Sequence, residues 1–189
     1  MTKIMHFAGG CFWGMEALYR QLPGVVQVTV GYANGDSEKH ADYETVCTGR
    51  TGFRETVRVE YDPEEISLDQ LLFAFFAVVD VETPNRQGAD VGSQYQSGIY
   101  WRDPEDEAVI RRYAAVEAAA VPRFAVELKP LENFYPAEEY HQRYLEKHPG
   151  GYCHVAPWRQ RAVKAYPFRA ETYTKPAGAL LRAFAQPDL

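Results

Sequence analysis

The spacing of apolar residues changes period several times along this chain, and the order of those changes leaves few ways to fold it. Lys3 to Ala8 reads as a short first strand; Gly9-Gly10 interrupts it, and Met15, Leu18, Tyr19 and Leu22 then recur at helical spacing. Val25 to Val30 alternates β-branched residues as a second strand. A polar loop follows through Asn34-Gly35-Asp36, and Glu55 to Tyr61 makes a third strand, closed by Asp62-Pro63. Ser67 caps a second helix whose Leu68, Leu71, Leu72, Phe75, Phe76 and Val79 form a broad apolar face, and Tyr95 to Trp101 supplies a fourth strand. Strand-helix-strand-strand-helix-strand is the split βαβ arrangement, which predicts an α/β (α+β) two-layer sandwich with a ferredoxin-like core.

Further elements extend that core. Asp103-Pro104 opens an Ala-rich helix to about Ala120, Phe124 to Leu128 gives an extra strand, and Pro136 to Lys147 a last helix. From Gly150 onward Gly, Pro and aromatic residues follow with little periodicity, although Ala179 to Phe184 fits one or two helical turns. The expected organisation is one domain over 1–153 and an irregular basic tail over 154–189, packed on it or extending from it. The long polar segment from Asp80 to Gln94 reads as a binding loop.

A chain of 189 residues can bury about 70% of its unfolded surface, so stability does not force a role on the cysteines. The formal net charge of -6 argues against nucleic acid as the main partner. From Val155 to Leu189 six basic residues stand against two acidic ones, Glu171 and Asp188, so the tail is +4 and the remainder -10. Cys11, Cys47 and Cys153 form neither a paired framework nor a CxxC motif, and Asn-x-Ser/Thr is absent, which favours a reducing compartment. The longest apolar run, Leu71 to Val79, is short of the ~18 residues of a membrane span, so a cytoplasmic protein is expected. Glu138-x-x-His141 occurs once and the five histidines lack zinc spacing; neither a metal nor a cofactor is expected.

Cys11 stands where the first helix begins. A thiol attacks as thiolate, and unpaired N–H groups with the positive end of a helix dipole favour that anion. Gly10-Cys11-Phe12-Trp13-Gly14 meets the requirement, with two aromatic side chains on the first turn able to hold a small apolar group. A buried structural cysteine is the competing reading of the same position.

The string Gly10-Cys11-Phe12-Trp13-Gly14 resembles the signature of the methionine sulfoxide reductase A family. Gly31-Tyr32, Tyr43 with Val46-Cys47, Thr51-Gly52 with Glu55, Tyr61-Asp62-Pro63, Arg86-Gln87-Gly88, Asp90, Gly92 with Gln94-Tyr95, and Phe134-Tyr135 through Glu138 and His141 to Gly151-Tyr152-Cys153 recur in family order. The resemblance covers nearly all of Phe7 to Cys153. It implies reduction of methionine S-sulfoxide, free or in proteins, by a catalytic domain over 1–153. Cys11 would be the nucleophile, Glu55 the acid near the sulfoxide oxygen, Tyr43 and Tyr95 donors to that oxygen, and Asp90 an organiser of the site. Phe12 and Trp13 would cradle the methyl group. A sulfoxide oxygen leaves poorly unless protonated, which explains the need for a carboxylic acid kept neutral by burial. Attack would leave Cys11 as a sulfenic acid, Cys153 after Pro149-Gly150-Gly151 would condense with it to a disulfide, and thioredoxin would restore both thiols. Cys47 is the alternative resolving thiol.

The chain departs from the family in places. Phe53-Arg54 stands where His-Ala is usual, Gln96 replaces an Arg after Tyr95, Val79-Asp80-Val81-Glu82 replaces His-Asp-Pro-Thr, and no cysteine follows Cys153. An Arg54 guanidinium close to Glu55 would lower the acid's pKa; strand alternation sends the two to opposite faces. Two rival readings are a Cys-His thiol hydrolase with His141 or His154 as base, and a non-catalytic binder of oxidised methionine.

Overall fold

Both faces of β1 (Lys3–Ala8) are covered: Met5 and Phe7 lie wholly buried on one side, His6 and Ala8 on the other. β1 is therefore a central strand. The computed structural model describes residues 1–186; the last residues of the tail, among them the Asp188 counted in its charge, lie outside the described residues. After β1 come α1 (Phe12–Arg20), β2 (Val25–Ala33), α2 (Tyr43–Cys47), β3 (Arg54–Tyr61) and α3 (Leu68–Val78). A small hairpin, β4 (Arg86–Gln87) with β5 (Asp90–Val91), precedes β6 (Gly98–Trp101), α4 (Pro104–Ala118), β7 (Glu127–Pro130), β8 (Phe134–Pro136) and α5 (Tyr144–Lys147). Two further helices close the chain, α6 (Pro157–Ala165) and α7 (Ala177–Ala185).

The main sheet runs β7-β6-β1-β3-β2-β8. Its four inner strands, β6-β1-β3-β2, each run antiparallel to their neighbours and come from the strand-helix-strand-strand-helix-strand core read from the sequence. β7 is added parallel to β6 and β8 antiparallel to β2. α1 and α3 share one face, where the Tyr19 hydroxyl donates to the Leu71 carbonyl at 3.0 Å. Phe7 stacks on Tyr19 beneath them, with ring centroids 4.9 Å apart. On the opposite face Leu131 and Phe134 cover Ala8, Ala33 and Tyr100.

Three elements differ from the sequence reading. The fourth strand starts at Gly98, because Ser93–Tyr95 winds into a single 3-10 turn. The helix expected over Pro136 to Lys147 is broken: Glu139–His141 is one 3-10 turn, Arg143 adopts a left-handed conformation (φ 56°), and only Tyr144–Lys147 is helical. The cause is Gln142, whose side chain accepts from Val30 N–H at 3.0 Å and donates to Val30 C=O at 2.9 Å, occupying the edge of β2 as another strand would. The tail is not irregular, since α6 and α7 pack on α3. Phe73 stacks on Tyr166 at 4.4 Å, and Glu117, buried on α4, accepts from the Tyr173 hydroxyl and from Ala177 N–H. Among the described residues no helix is long and apolar enough to cross a membrane.

Candidate active site

Gly10 turns the chain out of β1 with φ +86°, a conformation that favours glycine, and so delivers Cys11 to the N-cap of α1. The backbone N–H groups of Trp13 and Gly14, on the first turn of α1, favour the Cys11 anion, although the thiol makes no capping hydrogen bond there. Burial and the neighbouring Glu55 outweigh them, pushing the thiol well above its ordinary range. The ionised resting thiol expected from the helix start is therefore corrected: Cys11 is a neutral thiol at neutral pH. Helix position was legible in the sequence, but the depth of burial, 7% exposed, was not.

The Cys11 thiol opens onto a cavity of about 180 Å³. Glu55, second residue of β3 and 2% exposed, lines it and accepts from Phe12 N–H at 3.0 Å. Desolvation raises its pKa to about 8, against one stabilising N–H bond, so it is largely a protonated acid at neutral pH. Arg54 points away, pairing with Glu127 at 2.8 Å and donating to the Ser93 carbonyl at 2.9 Å. Strand alternation thus keeps the guanidinium off the acid. The other residue of that departure, Phe53, is buried against Tyr32 and Tyr135.

Tyr43, at the start of α2, and Tyr95, on the 3-10 turn, also line the cavity. Desolvation lifts both phenols above their ordinary range, so they remain O–H donors at neutral and moderately alkaline pH. Asp90 enters from the β4–β5 hairpin, and Phe12 and Trp13 form an aromatic wall. The binding loop expected over Asp80 to Gln94 carries this hairpin. Gln96 fills its departure from the family by accepting from Asn85 N–H at 2.8 Å and donating to Ser97 and Ala125 carbonyls.

The cavity holds every residue predicted for the site except Cys153, which lies against the first turn of α1 at Gly14. A Cβ on Gly14 would come within 3.3 Å of its sulfur. Cys153 is half-buried and accepts from Gln160 at 3.4 Å. Cys47 is exposed at the end of α2, beside Tyr43.

Tyr152, His141 and Glu138 stand in the family string, but the roles they play here escaped sequence reasoning. Tyr152 lines the cavity and donates to Asp90 at 2.9 Å. The Trp13 indole donates to Nδ1 of buried His141 at 3.1 Å and stacks on Tyr144 with centroids 3.7 Å apart. Glu138 accepts from the Tyr32 hydroxyl and the Tyr43 N–H, fixing the start of α2. Their partners lie roughly 60 to 130 residues away in sequence, and no local period encodes such pairings.

Comparison with known proteins places most of the chain among relatives. The family model described as peptide methionine sulfoxide reductase matches residues 3–171. A relative from Clostridium perfringens, named peptide methionine sulfoxide reductase MsrA, is 48% identical over 156 residues, covering 82% of this chain and 98% of its own. The crystal structure of Mxr1 from Saccharomyces cerevisiae in reduced form superposes with a TM-score of 0.77 at 38% identity, covering 82% of this chain and 91% of that one. The same yeast protein in complex with Trx2 gives a TM-score of 0.53 at 27% identity, covering 76% and 84%. A cysteine at a glycine-framed helix start, a protonated buried glutamate and this likeness over most of the chain lead to one conclusion: the chain belongs to the peptide methionine sulfoxide reductase family.

Proposed function

We propose that the protein reduces methionine S-sulfoxide to methionine through Cys11, with Glu55 protonating the departing oxygen. The observation that carries this is the neutral carboxylic acid of Glu55 in the same small cavity as the Cys11 thiol and two phenols. The sulfoxide oxygen sits toward Glu55, Tyr43 and Tyr95, and the methyl group lies against Phe12 and Trp13; exchanging the two would put oxygen on the aromatic wall, which selects one epimer. Asp90, held by Tyr152, orders the remaining side.

Oxygen passes from the substrate sulfur to Cys11, leaving a thioether and a sulfenic acid. Cys153 condenses with that sulfenic acid, forming a disulfide and water, and a thioredoxin-type dithiol reduces the bridge by exchange. Support for that reductant is the yeast relative captured with Trx2. The catalytic residues all lie within 1–153, and α6 and α7 complete the core behind them. The hydrolase reading has little support: Nδ1 of His141 accepts from Trp13, Nε2 of His154 is bonded to the Gly9 carbonyl, and neither ring bonds Cys11.

The test is mass spectrometry after exposure to methionine sulfoxide without reductant. One methionine per chain and a Cys11–Cys153 bridge are expected, and Cys153→Ser should release its methionine yet fail to cycle with thioredoxin. A bridge to Cys47, or full cycling by that variant, would reassign the resolving thiol.

A further inference from the structure

His154 adjoins Cys153 and has no part in the chemistry above. Its Nε2 lies 2.7 Å from the Gly9 carbonyl oxygen. A carbonyl only accepts, so this nitrogen carries the proton, and the lone pair is left on Nδ1, which is buried without a partner. Burial lowers the pKa of the ring and keeps it neutral.

The imidazole fills space left by two glycines of the nucleophile's own motif. A Cβ on Gly10 would approach Nε2 to 3.2 Å, and one on Gly14 would approach Nδ1 to 2.8 Å. That Gly14 position is also where the Cys153 sulfur rests. From the other side, Gln160 on α6 donates to the Cys153 sulfur and, at 3.0 Å, to the Val155 carbonyl, which also accepts from the thiol at 3.2 Å. The second thiol is thus held between α6 and, through His154, the loop two residues ahead of Cys11.

We infer that His154 is a positioning residue for disulfide formation, its bond to Gly9 docking residues 153–155 on the first turn of α1. The inference rests on Cys153 being the resolving thiol. In that step the Cys153 sulfur attacks the Cys11 sulfur, the Cys11 S–O bond breaks, an S–S bond forms, and the hydroxyl leaves with the thiol proton as water. No outside oxidant or reductant is consumed. His154 acts by keeping the attacking thiol on the turn that carries Cys11, which raises its effective concentration. Released, a segment preceded by Pro149-Gly150-Gly151 would spread over many conformations.

Two variants separate docking from bulk. His154→Leu fills the space without a donor, whereas His154→Gln keeps an N–H able to reach Gly9. Each is mixed with methionine sulfoxide in a single turnover without reductant, following methionine by quenched flow and the bridge by thiol loss and mass. Methionine should form at the wild-type rate in both. Bridge formation should slow about tenfold or more in the Leu variant, the size expected for one lost hydrogen bond, and stay near wild type in the Gln variant. Wild-type bridging by the Leu variant, equal slowing in both, or loss of the methionine burst in both would each overturn the inference. If the Leu variant does not fold, His154→Ala is the donor-free variant, with the same outcomes. Failure of the underlying reading looks different: wild-type protein itself would then show no Cys11–Cys153 bridge, and the role of His154 would fall with it.

Discussion

Cys11 and Glu55 share one small buried enclosure, so ionising either raises the proton affinity of the other. In the resting site both hold their protons, and the acid is the one whose loss ends the chemistry. Methionine formation in a single turnover should therefore fall as pH rises through about 8, the pKa that desolvation gives Glu55, and Glu55→Gln should abolish that limb while slowing the step by roughly 10²-fold or more. Stability follows the same proton. An unfolded chain releases it near the ordinary 4.5, the folded one near 8, so the contribution is full at low pH and is lost as pH climbs between those values. Glu55→Gln removes this cost and should melt higher than wild type at pH 8, with the advantage gone at pH 4. At this scale the sequence showed that Arg54 and Glu55 face opposite ways, because a strand alternates. That a lone Glu opening a strand is an acid rather than a surface residue came only with the family string, since burial is a tertiary property.

Among the elements, the core helices and inner strands were legible because each has a clean apolar period, and α3 has a cap besides: Ser67, read as its start, accepts from Gln70 N–H at 3.1 Å. The segment after Pro136 was not, because a side chain overrides helical spacing there. Gln142 serves the backbone of Val30, a residue with no exposed surface. Gln142→Ala leaves that N–H without its acceptor and should lower the unfolding free energy by about 1–3 kcal/mol in urea titrations. His141 rides on the same turn and holds the Trp13 indole, so Trp13 fluorescence should also change in this variant. The β4–β5 hairpin was equally hidden, since two-residue strands carry no period at all; its position is fixed by Gln87, whose side chain bonds both backbone groups of Asp80 and the Ser97 hydroxyl.

For the whole molecule, the C-terminal helices complete the core. Tyr173, Ala177 and Leu181 are almost entirely buried, and the Glu117 carboxylate spans α4 to both Tyr173 and Ala177. Leu181→Ala should cost about 2–5 kcal/mol, the range for truncating a buried leucine, read as a lower denaturation midpoint at unchanged slope. A free-energy loss below about 0.5 kcal/mol would mean that α7 is loosely held. The basic character of the tail was plain from its residues, but its docking was not, because its aromatic residues Tyr166, Phe168 and Tyr173 meet Phe73 without regular spacing. The enclosure at Cys11 has a consequence for clients. Some 180 Å³ admits the end of one thioether side chain and no folded segment around it. An oxidised methionine within a partner's interior must therefore swing outward first, and the rate at which such residues are rescued would report how often the client opens, not how fast this enzyme works.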